Sequence, residues 1–234
     1  MEIIFKLVNR YKNMLLSGIE ITLSISLIAI VIGVVLGIVL AIMKICKVKV
    51  LNVIAGVYVE VVRGIPVMIL LCISYYGASV MGIHYPRASM FGGACTSDRF
   101  IAAVIGLGLN AAAEICEVIR SGIQAVDYGQ TEAALSLGLN HFASMRKIVL
   151  PQAIINILPA LGNNFVSMIK TSSTVTIIGL ADLMYVSNLI RGESYRPFSP
   201  FVIAGAIYFC MTYLLSRLVK VYERHINVSR VRTK

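Results

Sequence analysis

Apolar residues run almost unbroken from about Ile19 to Met43, Leu51 to Ile83, Phe100 to about Ile119, near Gln152 to Lys170, and about Phe201 to Leu218. A helix needs about 20 apolar residues to cross a bilayer core. The pattern therefore predicts about five transmembrane helices in an all-α, polytopic membrane protein. In the first run Ala29, Gly33, Gly37 and Ala41 recur every fourth residue, a small-residue stripe that lets another helix approach closely. The second is interrupted only by Glu60, Arg63 and Pro66, and the two charges stand three apart, where they can pair on one helix face. The third holds Asn110, Glu114 and Glu117. Glu117 can pair with Arg120 three residues on, whereas Glu114 lies deeper with no evident partner in its own helix, and an ionisable residue inside a membrane is a functional candidate by default. In the fourth, Pro159, Gly162, Asn163 and Asn164, followed by Lys170 and Thr171, predict a helix bent or partly unwound beside a polar cavity. The asparagines serve equally as cavity lining or as interhelical hydrogen-bonding groups.

Three polar stretches separate these runs. Residues 78–98, with Pro86, Gly92 and Gly93, and residues 181–200, with Asp182, Arg191, Arg196 and Pro200, read as loops. The stretch 127–151 is helical in pattern: Asp127 and Gln130 suit a cap and capping box, and Gly138 suits the left-handed residue that closes the helix. A second short helix is expected to start after Asn140 and stop at Pro151, with Phe142, Met145 and Val149 on one face. Two short helices meeting at a glycine bend suit a groove in another protein.

Of the 234 residues 58% are hydrophobic and 14% charged, outside the usage of soluble domains. A single membrane domain over 1–234 is the simplest division. The net charge of +10 does not indicate nucleic acid, because Lys and Arg gather at the edges of the apolar runs. Lys44, Lys47 and Lys49 place the first loop in the cytoplasm by the positive-inside rule. With an odd number of spans the N-terminus is then outside and the basic tail, Arg217 to Lys234, cytoplasmic. Cytoplasmic segments would hold twelve basic residues against seven outside, and only Lys6, Arg10 and Lys12 point the other way. The first span is too long for a signal-peptide core and reads as retained. Cys46, Cys72, Cys95, Cys116 and Cys210 have no paired spacing, so neither a metal site nor a disulfide framework is expected. Cys95, in a polar loop, is the candidate reactive thiol.

The stretch Glu132-Ala133-Ala134, then Gly138, then Ile148, Leu150 and Pro151 resembles the loop signature of the inner-membrane permease subunits of ATP-binding cassette importers, in the polar amino acid branch of histidine-, glutamine- and arginine-type permeases. The resemblance continues through Tyr58 to Pro66, with Ile65 where Thr is common. It also covers Asn110, Ala112, Ala113, Glu117 and Arg120, with Glu114 where an uncharged residue is usual, and Leu158 to Phe165 with Lys170. Many relatives carry Glu at Asn164 and Asp at Thr171, so a cationic cargo side chain is not implied. The resemblance implies that the loop docks a cytoplasmic ATPase and that Asn163, Asn164, Glu114, Lys170 and Thr171 are candidates for the substrate path. It further implies a second permease subunit, identical or homologous, a dimer of ATPase subunits that binds the ATP, an external substrate-binding protein, and a place in the bacterial cytoplasmic membrane. No cofactor of the chain's own, no metal and no nucleic-acid partner is expected.

Two other classes compete. A membrane enzyme is disfavoured because no nucleophile-base pair or metal-ligand spacing occurs and His84, His141 and His225 lie outside the runs. An ion-coupled secondary amino acid transporter or channel subunit often shows inverted repeats, and none is evident here.

Overall fold

The computed structural model describes residues 2–46 and 48–231, with side chains through 223. Lys47 and the tail side chains of Arg224, Arg230, Arg232 and Lys234 fall outside the described set, so their topological role rests on sequence alone.

Helix α1, Glu2–Ile45, is far longer than the expected span; at 1.5 Å per residue its 44 residues reach about 66 Å. Its first third is helical, not a leading segment, and Tyr11 carries the one non-helical backbone conformation within it. The small-residue stripe is the contact with α5, Ser97–Gln124. All four stripe residues are buried, and a Cβ on Gly33 would overlap Ala111 while one on Gly37 would press on Ile115. Contacts advance in the same direction along both helices, so α1 and α5 are parallel. The chain between them must return.

It does so in two pieces. Helix α2, Lys49–Gly64, packs on α5, where the Tyr58 hydroxyl donates to the Leu109 carbonyl, and after a 105° break at Ile65-Pro66 the chain runs back along α5 as α3, Val67–Cys72, a wide π turn, Ile73–Gly77, and α4, Ala78–Val80. Leu71 meets Gly106, Ser74 donates to the Ala102 carbonyl, and Tyr75 donates to Asp98. The single span expected over Leu51–Ile83 is thus a broken one. Pro66 has no N–H to continue the helix and forces the residue before it into extended backbone, as Ile65 shows with ψ 132°.

Residues 78–98 are also more ordered than a loop. A two-residue hairpin, β1 Ser89–Met90 and β2 Cys95–Thr96, pairs Ser89 with Thr96 and Met90 with Cys95 ahead of α5. Cys95 is only 7% exposed, and burial, aided by the nearby Asp98 charge, pushes its thiol pKa up. The reactive thiol expected at this position is therefore a buried, protonated one.

Beyond α5 come α6, Tyr128–Ser136, α7, His141–Ser144, and a π turn, Met145–Val149, that feeds α8, Leu150–Thr171. Pro151 does not stop the helix. The π turn, in which the Leu150 N–H reaches back to the Met145 carbonyl, opens the spiral where the proline ring would otherwise strike the preceding turn. Nor does α8 unwind at Pro159 or Gly162; it stays helical to Thr171 and tightens only afterwards into a 3₁₀ segment, Ser172–Ile178. Gly162 holds α10, Ser199–Val231, close, since a Cβ there would meet Val219 at 2.7 Å.

The stretch 181–200 contains a helix rather than a loop: α9, Leu183–Ser194, which packs with α10 against the start of α1 through Leu7, Tyr11, Leu15, Val186, Ile190 and Ile203. Asp182 caps it, fully buried, accepting from the N–H groups of Met184 and Tyr185 and from the hydroxyls of Thr176 and Tyr208. Burial outweighs these four donors and pushes the Asp182 carboxyl pKa up to about 6. With α8 antiparallel to α5 and α10 antiparallel to α8, the chain makes five alternating passes, four through long apolar helices and one through the bent pair.

Candidate functional site

The break at Pro66 opens a cavity of about 630 Å³ between the α2–α3 corner, the second half of α5 and the middle of α8. Its polar wall is Arg63, Asn110, Glu114, Glu117, Ser121 and Asn164. Two carboxylates on one helix, three residues apart, have different neighbours. Glu117 is ion-paired to Lys44 at the end of α1 and to Arg120 at 2.8 Å, with Arg63 at 4.0 Å. Three cations from three elements surround it, and it acts as a clasp at this end of the bundle. Arg63 therefore turns to Glu117 and not to Glu60, which is exposed and forms no ion pair among the described residues.

Glu114, one turn deeper, has no cation among the described residues. It does have a partner in its own helix, contrary to the sequence expectation: Asn110 Nδ2 donates to its Oε1 at 2.9 Å, four residues back and hence on the same face. That leaves most of its acceptor capacity unused. Across the cavity Asn164 Nδ2 is buried with no hydrogen-bond partner, a rare condition that costs stability unless something fills it. Glu114 and Asn164 both line one space roomy enough for a small zwitterion, with the Asn164 Nδ2 itself buried against the protein.

Of the other residues singled out on α8, Asn163 and Lys170 are exposed and Thr171 is half-buried, its carbonyl accepting from Thr174; none of the three lines this cavity. Asn163 and Lys170 are seven residues apart and share a face turned away from the chain's own core. Sequence reasoning left out Asn110 and Arg63 as site members. The polar side chain four positions before Glu114 was the available signal for the first; no local signal placed Arg63 beside Glu117.

At the end of the bundle where α5 finishes, the loop 127–151 forms a second exposed feature. Asp127 caps α6 through the Gly129 N–H, and Asn140 caps α7 through the Ala143 N–H. Gly138 has φ +83°, and the bonds Leu139 N–H to Ala134 carbonyl and Gly138 N–H to Leu135 carbonyl form a Schellman closure, as expected of a glycine at that position. Ala134 is buried where α6 leans on the π turn, while Glu132 and Ala133 are exposed and Leu137 and Phe142 are 83% and 73% exposed. Ile148 is half-buried, and Leu150 and Pro151 lie on the outer side of the helix start.

Alternating apolar passes, a broken second pass and a helical hairpin below a polar cavity define a membrane transport subunit. The family model for the inner membrane component of binding-protein-dependent transport systems matches residues 33–228, and the chain belongs to that family. It is 35% identical over 216 residues to a putative glutamine transport system permease of Rickettsia felis, covering 92% of this chain and 94% of that protein. It is 38% identical over 213 residues to an arginine transport system permease of Bacillus subtilis, covering 91% and 92%. Among solved structures, a crystal structure of an amino acid ABC transporter with histidines matches with a TM-score of 0.85 and 41% identity, over 93% of this chain and 96% of that one. A methionine ABC transporter structure shares the fold at 18% identity and a TM-score of 0.68.

Proposed function

We propose that this chain, a permease subunit of an amino acid ATP-binding cassette importer, passes its cargo through the cavity between Asn110, Glu114 and Asn164. The observation that carries the reading is Glu114, a cavity-lining carboxylate with no cation among the described residues, on the same cavity as Asn164. The carboxylate meets the substrate ammonium, and the Asn164 amide meets the substrate carboxylate once its buried Nδ2 turns into the space. Charges moved out of water need fixed polar partners, and these two supply one of each kind. Because the site offers one net negative charge and one neutral amide, it fits a polar amino acid without demanding a charged side chain. Asn163, Lys170 and Thr171 extend the path on the outer face of α8, where a second permease subunit closes it.

Energy comes from a separate ATPase dimer seated on the loop 127–151, with Glu132 exposed for contact, Ala133 allowing close approach, Ala134 packing α6 onto the π turn, and Gly138, Ile148, Leu150 and Pro151 holding the bend. That loop is cytoplasmic, the N-terminus is external, the single permease domain covers 1–234, and an external binding protein delivers the cargo. Orientation is tested with cysteines introduced singly at Ala88 and Ser136, both exposed, in a background without the native cysteines. Labelling of Ser136→Cys by an impermeant reagent outside intact cells would reverse the topology.

The functional test is uptake by the reconstituted complex with a panel of amino acids. ATP-dependent uptake lost in Glu114→Gln and Asn164→Ala, with assembly intact, supports the reading. Uptake that persists without ATP, or wild-type rates in both variants, refutes it.

A further inference from the structure

A second cavity, of about 360 Å³, lies on the other side of α5, between the lower half of α1 and the first half of α8. Every residue that lines it is aliphatic, among them Val34, Ile38, Ile45, Ile123, Leu150 and Leu161. No polar group is available to hold water, so an aqueous ligand is excluded. From Val34 to Ile45 the slot runs about 16 Å along α1 at 1.5 Å per residue, about half of a 30 Å hydrocarbon core. One leaflet of lipid tail has that depth.

Basic side chains lie near one end of it. Ile45, Ile123 and Leu150 mark the end nearest the loop 127–151. Arg146 and Lys147 lie one turn before Leu150, exposed and without an ion pair among the described residues. Basic side chains at the cytoplasmic mouth of a cleft between membrane helices attract anionic headgroups. We infer that this slot is a binding site for a single acyl chain of an anionic phospholipid from the cytoplasmic leaflet, with its phosphate held by Arg146 and Lys147. The inference takes its orientation from the proposed topology, and a lipid wedged there touches α1, α5 and the π turn that joins the ATPase-docking loop to α8.

The test is native mass spectrometry of the detergent-purified permease–ATPase complex titrated with phosphatidylglycerol and phosphatidylcholine of identical tails. Each basic residue near the surface contributes a factor of about five. Wild type is expected to prefer phosphatidylglycerol by about 25-fold at a saturable site, and the double variant Arg146→Gln, Lys147→Gln to lose that preference. Ile38→Trp and Ile154→Trp, which fill the slot from opposite walls, should each lower retention of the lipid at least tenfold, whereas Leu214→Trp, exposed on α10, should not. The mass of the intact complex reports assembly in the same spectra. Equal retention of the two lipids by wild type, unchanged retention in both slot-filling variants, or cross-linking of the slot to a second permease copy in place of lipid would each overturn the inference. A wild-type lipid preference found together with failed transport tests would leave this site standing and the substrate path refuted.

Discussion

Two polar regions lie inside this apolar bundle, and they differ in how completely their groups are matched. At the head of α9 the Asp182 carboxylate receives two backbone and two hydroxyl hydrogen bonds and does not line the cavity at the Pro66 break. Beside the cavity at the Pro66 break, Glu114 receives one bond from a neutral amide and the buried Asn164 Nδ2 donates to no group among the described residues. A fully matched buried carboxylate is explained by the fold it holds together. A half-matched one that lines a cavity of about 630 Å³ is the candidate for meeting a cargo. Glu117 is intermediate: it lines the same cavity, yet three cations occupy it, so it belongs with the structural class.

The strongest way to break this contrast is Asp182→Ala. Removing the acceptor strands four donors at roughly 1 to 3 kcal/mol each before relaxation, so the variant should fail to yield a stable complex. Detergent-solubilised complex with a wild-type melting temperature would show that the knot is dispensable.

A subtler probe of the same group is pH. The carboxyl's folded pKa, about 6, stands above the ordinary Asp value of about 3.9, so the folded state holds the proton more tightly. Its contribution to stability is full below pH 4 and is lost as pH rises through 6, about 3 kcal/mol in all. Melting curves from pH 4 to 7 should fall over that window in wild type, and Asp182→Asn should flatten the fall. A slope unchanged by the substitution would assign it elsewhere.

On the cavity side, Glu114→Gln should reduce ATP-driven uptake 10- to 100-fold, or about 1.4 to 2.8 kcal/mol, while the melting temperature moves by a degree or two at most. A large loss of stability with proportionate loss of uptake would move Glu114 into the structural class beside Asp182.

The loop 127–151, proposed to dock the ATPase, is held by backbone geometry, and there the effect is smaller. Gly138→Val forces a β-branched residue to φ +83° at a cost of about 1 to 2 kcal/mol, which should weaken recovery of the ATPase in a pulldown while insertion continues. Recovery at wild-type strength would remove the bend from the docking surface. Smallest of all, Glu60→Ala, exposed and unpaired, should change stability by no more than about 0.5 kcal/mol; a larger loss would restore the Glu60–Arg63 pair that sequence spacing suggested.

Sequence alone determined what depends on local spacing and on solvent. Apolar runs of span length, the four-residue stripe from Ala29 to Ala41, the caps at Asp127 and Asn140 and the left-handed closure at Gly138 are legible because each is set by neighbours within a turn or two, or by the need to keep polar groups out of lipid. Only the tertiary structure decided the rest. Arg63 left Glu60 for Glu117 because a 105° break swung α2 across α5, and spacing cannot report an angle between helices. Pro151 passed through a helix because a π turn absorbed it, and Asp182 became a buried knot because Thr176 of the 3₁₀ segment, the start of α9 and Tyr208 of α10 converge on it. Glu114 and Asn164 were each visible as polar residues in apolar runs. That both line one space, and that Asn163 does not, follows from the rotation of α8, which packing at Gly122 against α5 and at Gly162 against α10 fixes.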